Sequence, residues 1–445
     1  MASLSLREML ADYPLHESVF NNDLKRLSAL LRTRDVSEKD VHGNTALHLA
    51  AMLGHKECIH LLLTHDAPVR LKNALGWNSL AEAVSYGDRP TITTLLRKLK
   101  QQSRESLEAK RPQLIQALED LGDFYMEVRW DFQSWVPLVS RMLPSDTCRI
   151  LKRGTRVRMD TTLVDFNDMQ WQRGNNTFLF NGDAKPDNSL VILDNDNKLF
   201  QRVRYQHYKI RKETEKELEE EVDILMSSDV VTMTLSTKPI TFTRAQSGWL
   251  FREKKCEMIG NYYAHVYTIN NVIVETRKRR GHLSEEDVQK NKAALESLSK
   301  GRALPANLQP QYRKSLPAPP ATDIRWSEYI KGRPSRAHLG RPEVCKESKK
   351  VFKATVAMSE DFPMDLPDLL NILEVLTPMR HFQKLRDFVS MKMPPGFPIK
   401  IDVPVLPTIT ARVTFQDFQY RDNILPSLFK IPRDYTLDSS RCPEI

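Results

Sequence analysis

The chain has 445 residues, 40% of them hydrophobic and 28% charged, which is the composition of a globular protein with room for two or three domains. Its net charge of +9 is small for this length and does not indicate nucleic acid as a partner. The five cysteines lack CxxC spacing, which argues against a disulfide framework and favours a reducing compartment. Because we find no secretory signal and no apolar run of about 18 residues, we expect a cytoplasmic protein that meets membranes only peripherally.

A repeat occupies the first 100 residues. Its first helix is marked by a residue pair that recurs every 32 to 33 residues: Leu15-His16, Leu47-His48 and Leu80-Ala81. This period, with the T-x-L-H element of the middle copy, resembles the ankyrin repeat. Thr45 is placed to cap the first helix of that copy, and Gly54 permits a left-handed turn between its two helices. We therefore predict about three ankyrin repeats over residues 1–100, with degenerate end copies, as an array that binds protein.

The middle copy also holds a group of potential metal ligands: His55, Cys58, His60 and His65. Their residue types suit zinc, but the repeat itself explains His55 and puts Cys58 on a helix that faces the core. We therefore predict no metal site, and we expect no cofactor elsewhere in the chain.

A helical bridge is predicted over residues 101–119, with a break at Pro112 because proline removes a helix hydrogen bond. Residues 120–276 then change toward a period of two, which indicates strands and the first part of an α+β domain. Two hairpins are predicted there, one over residues 189–200 with an Asp/Asn turn and one over residues 263–274 with an Asn-Asn turn.

Residues 277–350 are polar and proline-bearing, and we expect this insert to be partly disordered. The insert opens with the basic tetrad Arg277-Lys278-Arg279-Arg280. Such a tetrad could contact anionic lipid or act as an import signal, although a short basic run after a strand more often does neither. Farther along, Trp326-Ser327-Glu328-Tyr329 is a candidate docking motif.

Residues 351–445 are predicted to be the second part of the α+β domain, with amphipathic helices over residues 366–376 and 382–389. Residues 393–415 alternate apolar residues with polar ones and prolines, so they form an extended segment. Two alternatives remain for this segment. It is either an exposed sheet edge that pairs with a client, or a strand packed inside its own domain, and the flanking apolar pattern favours the second.

Several motifs resemble the ankyrin repeat domain-containing protein 13 family, whose C-terminal region is described as a receptor-chaperone domain. The motifs are Phe178-Leu179-Phe180-Asn181-Gly182, the strand Phe352-Lys353-Ala354, Leu373-Glu374-Val375-Leu376, Leu385-Arg386-Asp387-Phe388 and the proline-rich run from Pro394 through Ala411. Longer members carry ubiquitin-interacting motifs. The charged helix predicted over residues 211–226 has Leu225 where such a motif needs alanine, so the chain looks like the short C-type members.

The resemblance implies a non-enzymatic, chaperone-like protein that binds G-protein-coupled receptors at the cytosolic face of the endoplasmic reticulum and regulates their biogenesis and exit. The alternative is a ubiquitin-linked endocytic or trafficking adaptor. The sequence has no G-x-G-x-x-G, Walker, H-E-x-x-H or G-x-S-x-G motif, so we expect no enzyme and no small-molecule substrate. The residues that bind protein stay unassigned at this point.

Overall fold

The structure is a computed structural model, and it describes most of the chain with several gaps. The described residues are 13–134, 143–167, 170–203, 215–236, 238–248, 253–299, 312–320, 323–332, 339–342, 344–376, 393–406 and 409–438.

The helices in the described residues are α1 (Pro14–Phe20), α2 (Leu24–Leu30), α3 (Ala46–Leu53), α4 (Lys56–Thr64), α5 (Ser79–Tyr86), α6 (Arg89–Asp120), α7 (Glu215–Ser227), α8 (Glu285–Ser299), α9 (Trp326–Lys331) and α10 (Leu366–Leu376). Short 3-10 helices also occur at Pro186–Asn188 and Pro426–Phe429. None of the described helices is long and apolar enough to cross a membrane.

The strands in the described residues are β1 (Phe124–Ser134), β2 (Ser145–Arg153), β3 (Arg156–Asn167), β4 (Gln170–Asn181), β5 (Leu190–Asp194), β6 (Leu199–Val203), β7 (Val230–Ser236), β8 (Thr241–Arg244), β9 (Gln246–Ser247), β10 (Glu253–Lys254), β11 (Cys256–Ile259), β12 (Tyr262–Arg279), β13 (Cys345–Ser359), β14 (Phe397–Leu406), β15 (Ile409–Tyr420) and β16 (Thr436–Leu437).

The chain forms two compact units that do not follow chain order. The ankyrin unit contains Met1–Ser106, Arg211–Thr234 and Val274–Lys349, and the sheet unit contains Leu107–Ile210, Leu235–Ile273 and Lys350–Ile445. The predicted α+β class is confirmed, with ankyrin helices first and an antiparallel-rich domain after them. The domain boundaries proposed from the sequence, at residues 100, 119, 276 and 350, stay a prediction.

The core of the ankyrin unit is made by the paired helices of the repeats. Leu15, Leu47 and Leu80, the repeating leucines, are all buried in one cluster. Thr45 occupies the cap position of α3 as predicted, and Gly54 ends that helix with a φ of +71°. A Cβ atom at Gly54 would lie 2.2 Å from the Tyr86 ring, so both backbone conformation and space require glycine there.

The sheet unit is built on one long sheet. Its strands lie in the order β11-β12-β13-β14-β15-β1-β2-β3-β4-β5-β6-β16. One face of the sheet buries an aromatic group in which the rings of Phe362 and Phe397 stack at 4.1 Å and Phe415 meets Phe397 edge-on at 4.9 Å. Ring contacts of this kind and the burial of the rings hold the central strands against their covering residues.

The extended segment proposed from the sequence contains β14, and β14 is an internal strand. It pairs with β13 on one side and with β15 on the other, so the edge alternative is wrong for it. The register shifts beside Pro398 and Pro404 in these two pairings. Because a bulge leaves a residue out of the ladder, an internal strand can hold proline at such points despite its missing N–H group. Ile399 is fully buried on this strand.

Two local predictions are wrong and one is confirmed. The hairpin over residues 189–200 exists as β5 and β6. Residues 263–274 do not form a hairpin, because β12 runs straight through them and Asn271 takes a φ of +57° within the strand.

Helix α6 also differs from the prediction, because it continues through Pro112. Leu99 and Leu118 are buried on either side of Pro112, and we infer that their packing offsets the lost hydrogen bond. The helix predicted over residues 382–389 lies outside the described residues.

Candidate protein-interaction surface of the ankyrin repeats

The turns that precede α3 and α5 are each held by one acidic or amide side chain. Asp40 Oδ1 accepts the backbone N–H groups of His42 at 2.8 Å and Asn44 at 2.9 Å. In the next repeat, Asn73 Oδ1 accepts the N–H groups of Leu75 at 3.1 Å and Trp77 at 2.9 Å. The two turns therefore share one design, and we call the side of the repeats that they form the finger surface (residues 40–45 and 73–78).

Histidine connects successive repeats below this surface. His48 Nδ1 accepts the backbone N–H of Thr45 at 3.1 Å, and its Nε2 donates to the carbonyl of Trp77 at 3.0 Å. In the first repeat, His16 Nε2 contacts the carbonyl of Asn44 at 3.0 Å. Burial lowers the pKa of His48 to about 4 and also lowers the pKa of His16. Both rings are therefore neutral near pH 7 and serve as structural connectors.

Residues 40–45 of the finger surface are covered by the insert helix α9. The Tyr329 hydroxyl donates to Asp40 Oδ2 at 2.7 Å and accepts from Asn44 Nδ2 at 2.9 Å, while His42 Nε2 donates to the Tyr329 carbonyl at 2.8 Å. Only 1% of Tyr329 and 6% of Trp326 is exposed. Burial, with Asp40 beside it, raises the pKa of Tyr329, which keeps the phenol protonated as a donor. The docking motif proposed from the sequence therefore binds the chain's own repeats.

The basic tetrad is also used inside the ankyrin unit. Arg279 forms an ion pair with Glu82 of α5 at 2.6 Å, and the side chains are 2% and 1% exposed. Arg277 donates to the carbonyl of Leu75 at 3.0 Å, and Arg280 binds Asp229 through two hydrogen bonds of 3.1 Å. These arginines hold buried or half-buried partners, so they are poorly placed to bind lipid headgroups or an import receptor.

Further segments of the insert complete the cover at the end of α5. Arg341 donates to the carbonyls of Ser85 at 2.9 Å and Tyr86 at 3.0 Å, which satisfies acceptors that a helix end leaves open. The Leu316 N–H donates to the carbonyl of Gly87 at 2.8 Å. These contacts tie two parts of the insert to the third repeat.

Helix α7 packs its apolar side on the repeats. Leu218, Val222 and Met226 are buried in the same cluster as the ankyrin leucines. Asp223 on this helix is ion-paired with Arg89 and accepts the backbone N–H of Arg313 at 2.8 Å. Glu219 and Glu220 face solvent, as expected for the charged side of an amphipathic helix.

The outer side of the repeats carries a groove of about 550 Å³ between α2 and α4. Its lining mixes apolar and charged side chains: Leu24, Lys56, Glu57, His60, Leu61 and Thr64. Leu24 is 37% exposed. In the part of the chain that the structure describes, this groove is the candidate surface for an external partner, because the chain's own residues cover the finger surface.

The potential metal ligands of the middle repeat have structural contacts. His55 Nδ1 contacts the carbonyl of Val19 at 2.8 Å, and Cys58 Sγ lies 3.3 Å from Asn22 Oδ1. Burial raises the pKa of the Cys58 thiol to about 11, which disfavours the thiolate that binds metal. Within the described residues, no group of three His, Cys, Asp or Glu side chains could hold a metal ion.

Sequence reasoning did not find the partners of these insert residues. Tyr329 and Asp40 are 289 positions apart, and Arg279 and Glu82 are 197 apart. No local pattern in the sequence links Asp40 or Glu82 to the insert. The sequence did offer one indication of the contact, because Trp326 and Tyr329 are large aromatic residues within a polar insert.

Comparisons with known proteins match both regions of the chain. A profile of three ankyrin repeats matches residues 15–105, and a profile described as ANKRD13 C-terminal matches residues 158–440. The zebrafish (Danio rerio) ankyrin repeat domain-containing protein 13C is 61% identical over 97% of this chain and 88% of its own length. The Homo sapiens protein of the same name is 60% identical over 98% of this chain and 80% of its own length. The Mus musculus protein 13B is 36% identical over 95% of this chain and 70% of its own length. The chain therefore belongs to the ankyrin repeat domain-containing protein 13 family and is a protein-binding ankyrin repeat protein.

Proposed function

We propose that this protein is a chaperone-like binding protein for G-protein-coupled receptors, acting at the cytosolic face of the endoplasmic reticulum on receptor biogenesis and exit. The observation that carries the proposal is the similarity to 13C proteins, which extends over both units at about 60% identity. The ankyrin repeats support the binding part of the proposal, because such arrays bind protein segments. No catalytic step is part of this function.

The proposed receptor-binding surface is the groove between α2 and α4. Tyr329 of α9 occupies the finger surface at residues 40–45, so a receptor segment could bind there only by displacing α9. The groove offers the apolar side chains of Leu24 and Leu61 beside Lys56. An amphipathic cytosolic segment of a receptor suits this mixture, since its apolar side would cover the leucines while its polar side meets the rim.

The test is co-precipitation of epitope-tagged immature receptors with the full chain from cells. The variant Leu24→Glu/His60→Glu adds two negative charges on exposed positions of the groove, and we expect at least a tenfold loss of captured receptor. The matched control is Leu425→Glu in the sheet unit, where the leucine is 62% exposed. Thermal unfolding of each variant verifies that folding is retained. Equal capture by both variants would refute the groove as the receptor site.

A second measurement tests the function itself. Depletion of the protein should change the amount of receptor that reaches the cell surface, and the full chain should restore it. Unchanged surface delivery across a panel of receptors would overturn the receptor proposal, whatever surface the protein uses.

The alternative of a ubiquitin-linked adaptor finds little support in α7. The apolar side of this acidic helix, with Leu218 and Val222, is buried on the ankyrin repeats and is not available to ubiquitin. Titration of the full chain with ubiquitin decides between the two functions. Saturable binding would favour the adaptor, and its absence would leave the receptor proposal in first place.

A further inference from the structure

A thiol, an imidazole and a guanidinium group meet on three neighbouring strands of the sheet unit. Cys256 on β11 is directly opposite His265 on β12, and its Sγ lies 3.4 Å from His265 Nδ1. Arg244 on β8 donates from Nη2 to the sulfur at 3.4 Å and to His265 Nδ1 at 3.0 Å. The Arg244 guanidinium also lies 5.0 Å above the ring of Tyr267, which fixes its position.

These contacts favour the thiolate form of Cys256. Arg244 donates from Nη2 to the sulfur, and its positive charge stabilises a thiolate at that distance. His265 Nδ1 is a second polar atom within reach of the sulfur. The hydrogen bond with the Tyr263 hydroxyl, followed by those with His265 and Arg244, lowers the pKa of Cys256 to about 7.

Cys58 and Cys148 lie in a different environment. Burial raises the pKa of the Cys58 and Cys148 thiols, so these two favour the neutral form. Cys256 is only half-buried, and β11 is the first strand in the described order of the sheet, so a small reagent can reach it. Lys255, which follows β10, forms an ion pair with Glu257 at 2.8 Å, so its positive charge is held by that carboxylate.

We propose that Cys256 is a site of reversible thiol modification, at which it forms a mixed disulfide with a small anionic disulfide. The Cys256 thiolate attacks one sulfur of the reagent, a new S–S bond forms, and the reagent's own S–S bond breaks. The departing thiolate leaves with the electron pair and takes a proton from solvent. The reagent is thereby half reduced and Cys256 is oxidised, so the reaction needs no further oxidant. Arg244 favours a reagent that carries carboxylates.

The test uses the full chain and glutathione disulfide as the probe, with peptide mass spectrometry to follow each cysteine at pH 7. We expect Cys256 to form the mixed disulfide about tenfold faster than the exposed Cys345, and reduced glutathione should reverse it. Equal rates at Cys256 and Cys345 would overturn the proposal.

Two variants separate the cluster from simple exposure. His265→Gln and Arg244→Gln should each slow the reaction of Cys256 at pH 7 but not near pH 10, where any thiol is largely ionised. If a variant unfolds, the pH profile of the wild-type rate still decides, since a midpoint near 7 is expected and a midpoint near the ordinary thiol value would refute the cluster's role.

Discussion

At the scale of single residues, the ankyrin unit depends on buried polar groups whose partners are far away in sequence. His48 connects two repeats only in its neutral form, with Nδ1 as an acceptor and Nε2 as a donor. Arg279 and Glu82 are both ion-paired and almost completely buried. Both cases lead to a measurable prediction, one through pH and the other through the removal of a charge.

Acid should destabilise the folded chain through His48. Its pKa of about 4 is below the unfolded value near 6.5, so the unfolded state binds more protons between these values. The stabilisation is fully present above pH 6.5 and decreases by roughly 3 kcal/mol as the pH falls to 4. Urea unfolding across this range measures it, and His48→Gln should reduce the slope. An unchanged slope in that variant would show that His48 does not titrate as described.

Neutralising one member of the buried ion pair should be strongly destabilising. Glu82→Gln leaves the Arg279 charge buried without its counterion, which costs about 3–5 kcal/mol. The matched control is Glu220→Gln, because Glu220 and Lys216 are an exposed pair with 60% and 83% exposed side chains. We expect the control to change the free energy of unfolding by less than about 1 kcal/mol. Similar losses in the two variants, measured by chemical unfolding, would contradict the account.

At the scale of elements, β14 is the strand on which the sheet unit depends. It pairs on both sides, and Ile399 and Phe397 project into the aromatic core. Ile399→Asp should therefore unfold the sheet unit, since it buries a charge among apolar side chains. Ile399→Val, which keeps the shape, should cost only about 1 kcal/mol. Near-ultraviolet circular dichroism and thermal unfolding distinguish these outcomes, and a folded Asp variant would contradict the role of Ile399 in the core.

Local patterns predicted some elements well and others poorly, for physical reasons. The repeats were predictable because Leu47, Thr45 and Gly54 each follow from helix packing, capping and a left-handed turn. The position of Asn271 inside a continuous strand was not predictable, because a positive φ occurs both in turns and in irregular strands. Prolines suggested an edge at β14, although bulges let an internal strand accept them.

At the scale of the whole molecule, the ankyrin unit is assembled from three separate stretches of chain. The insert supplies α9, the tetrad and Arg341, which cover the finger surface and the end of α5. Sequence could not reveal this arrangement, because the contacts join residues nearly 200 or more positions apart. The consequence is functional. The chain itself covers residues 40–45 of the finger surface, and the outer groove becomes the candidate surface for an external partner.

Hydrogen–deuterium exchange on the full chain tests this cover most directly. Trp326→Ala/Tyr329→Ala removes the buried side of α9, and Leu425→Ala, at an exposed position, is the control. We predict that the amides of residues 40–50 exchange at least tenfold faster in the double variant, while those of β14 and all amides of the control keep the wild-type rates. Unchanged exchange of residues 40–50 in the double variant would show that α9 does not protect the finger surface and would contradict the account.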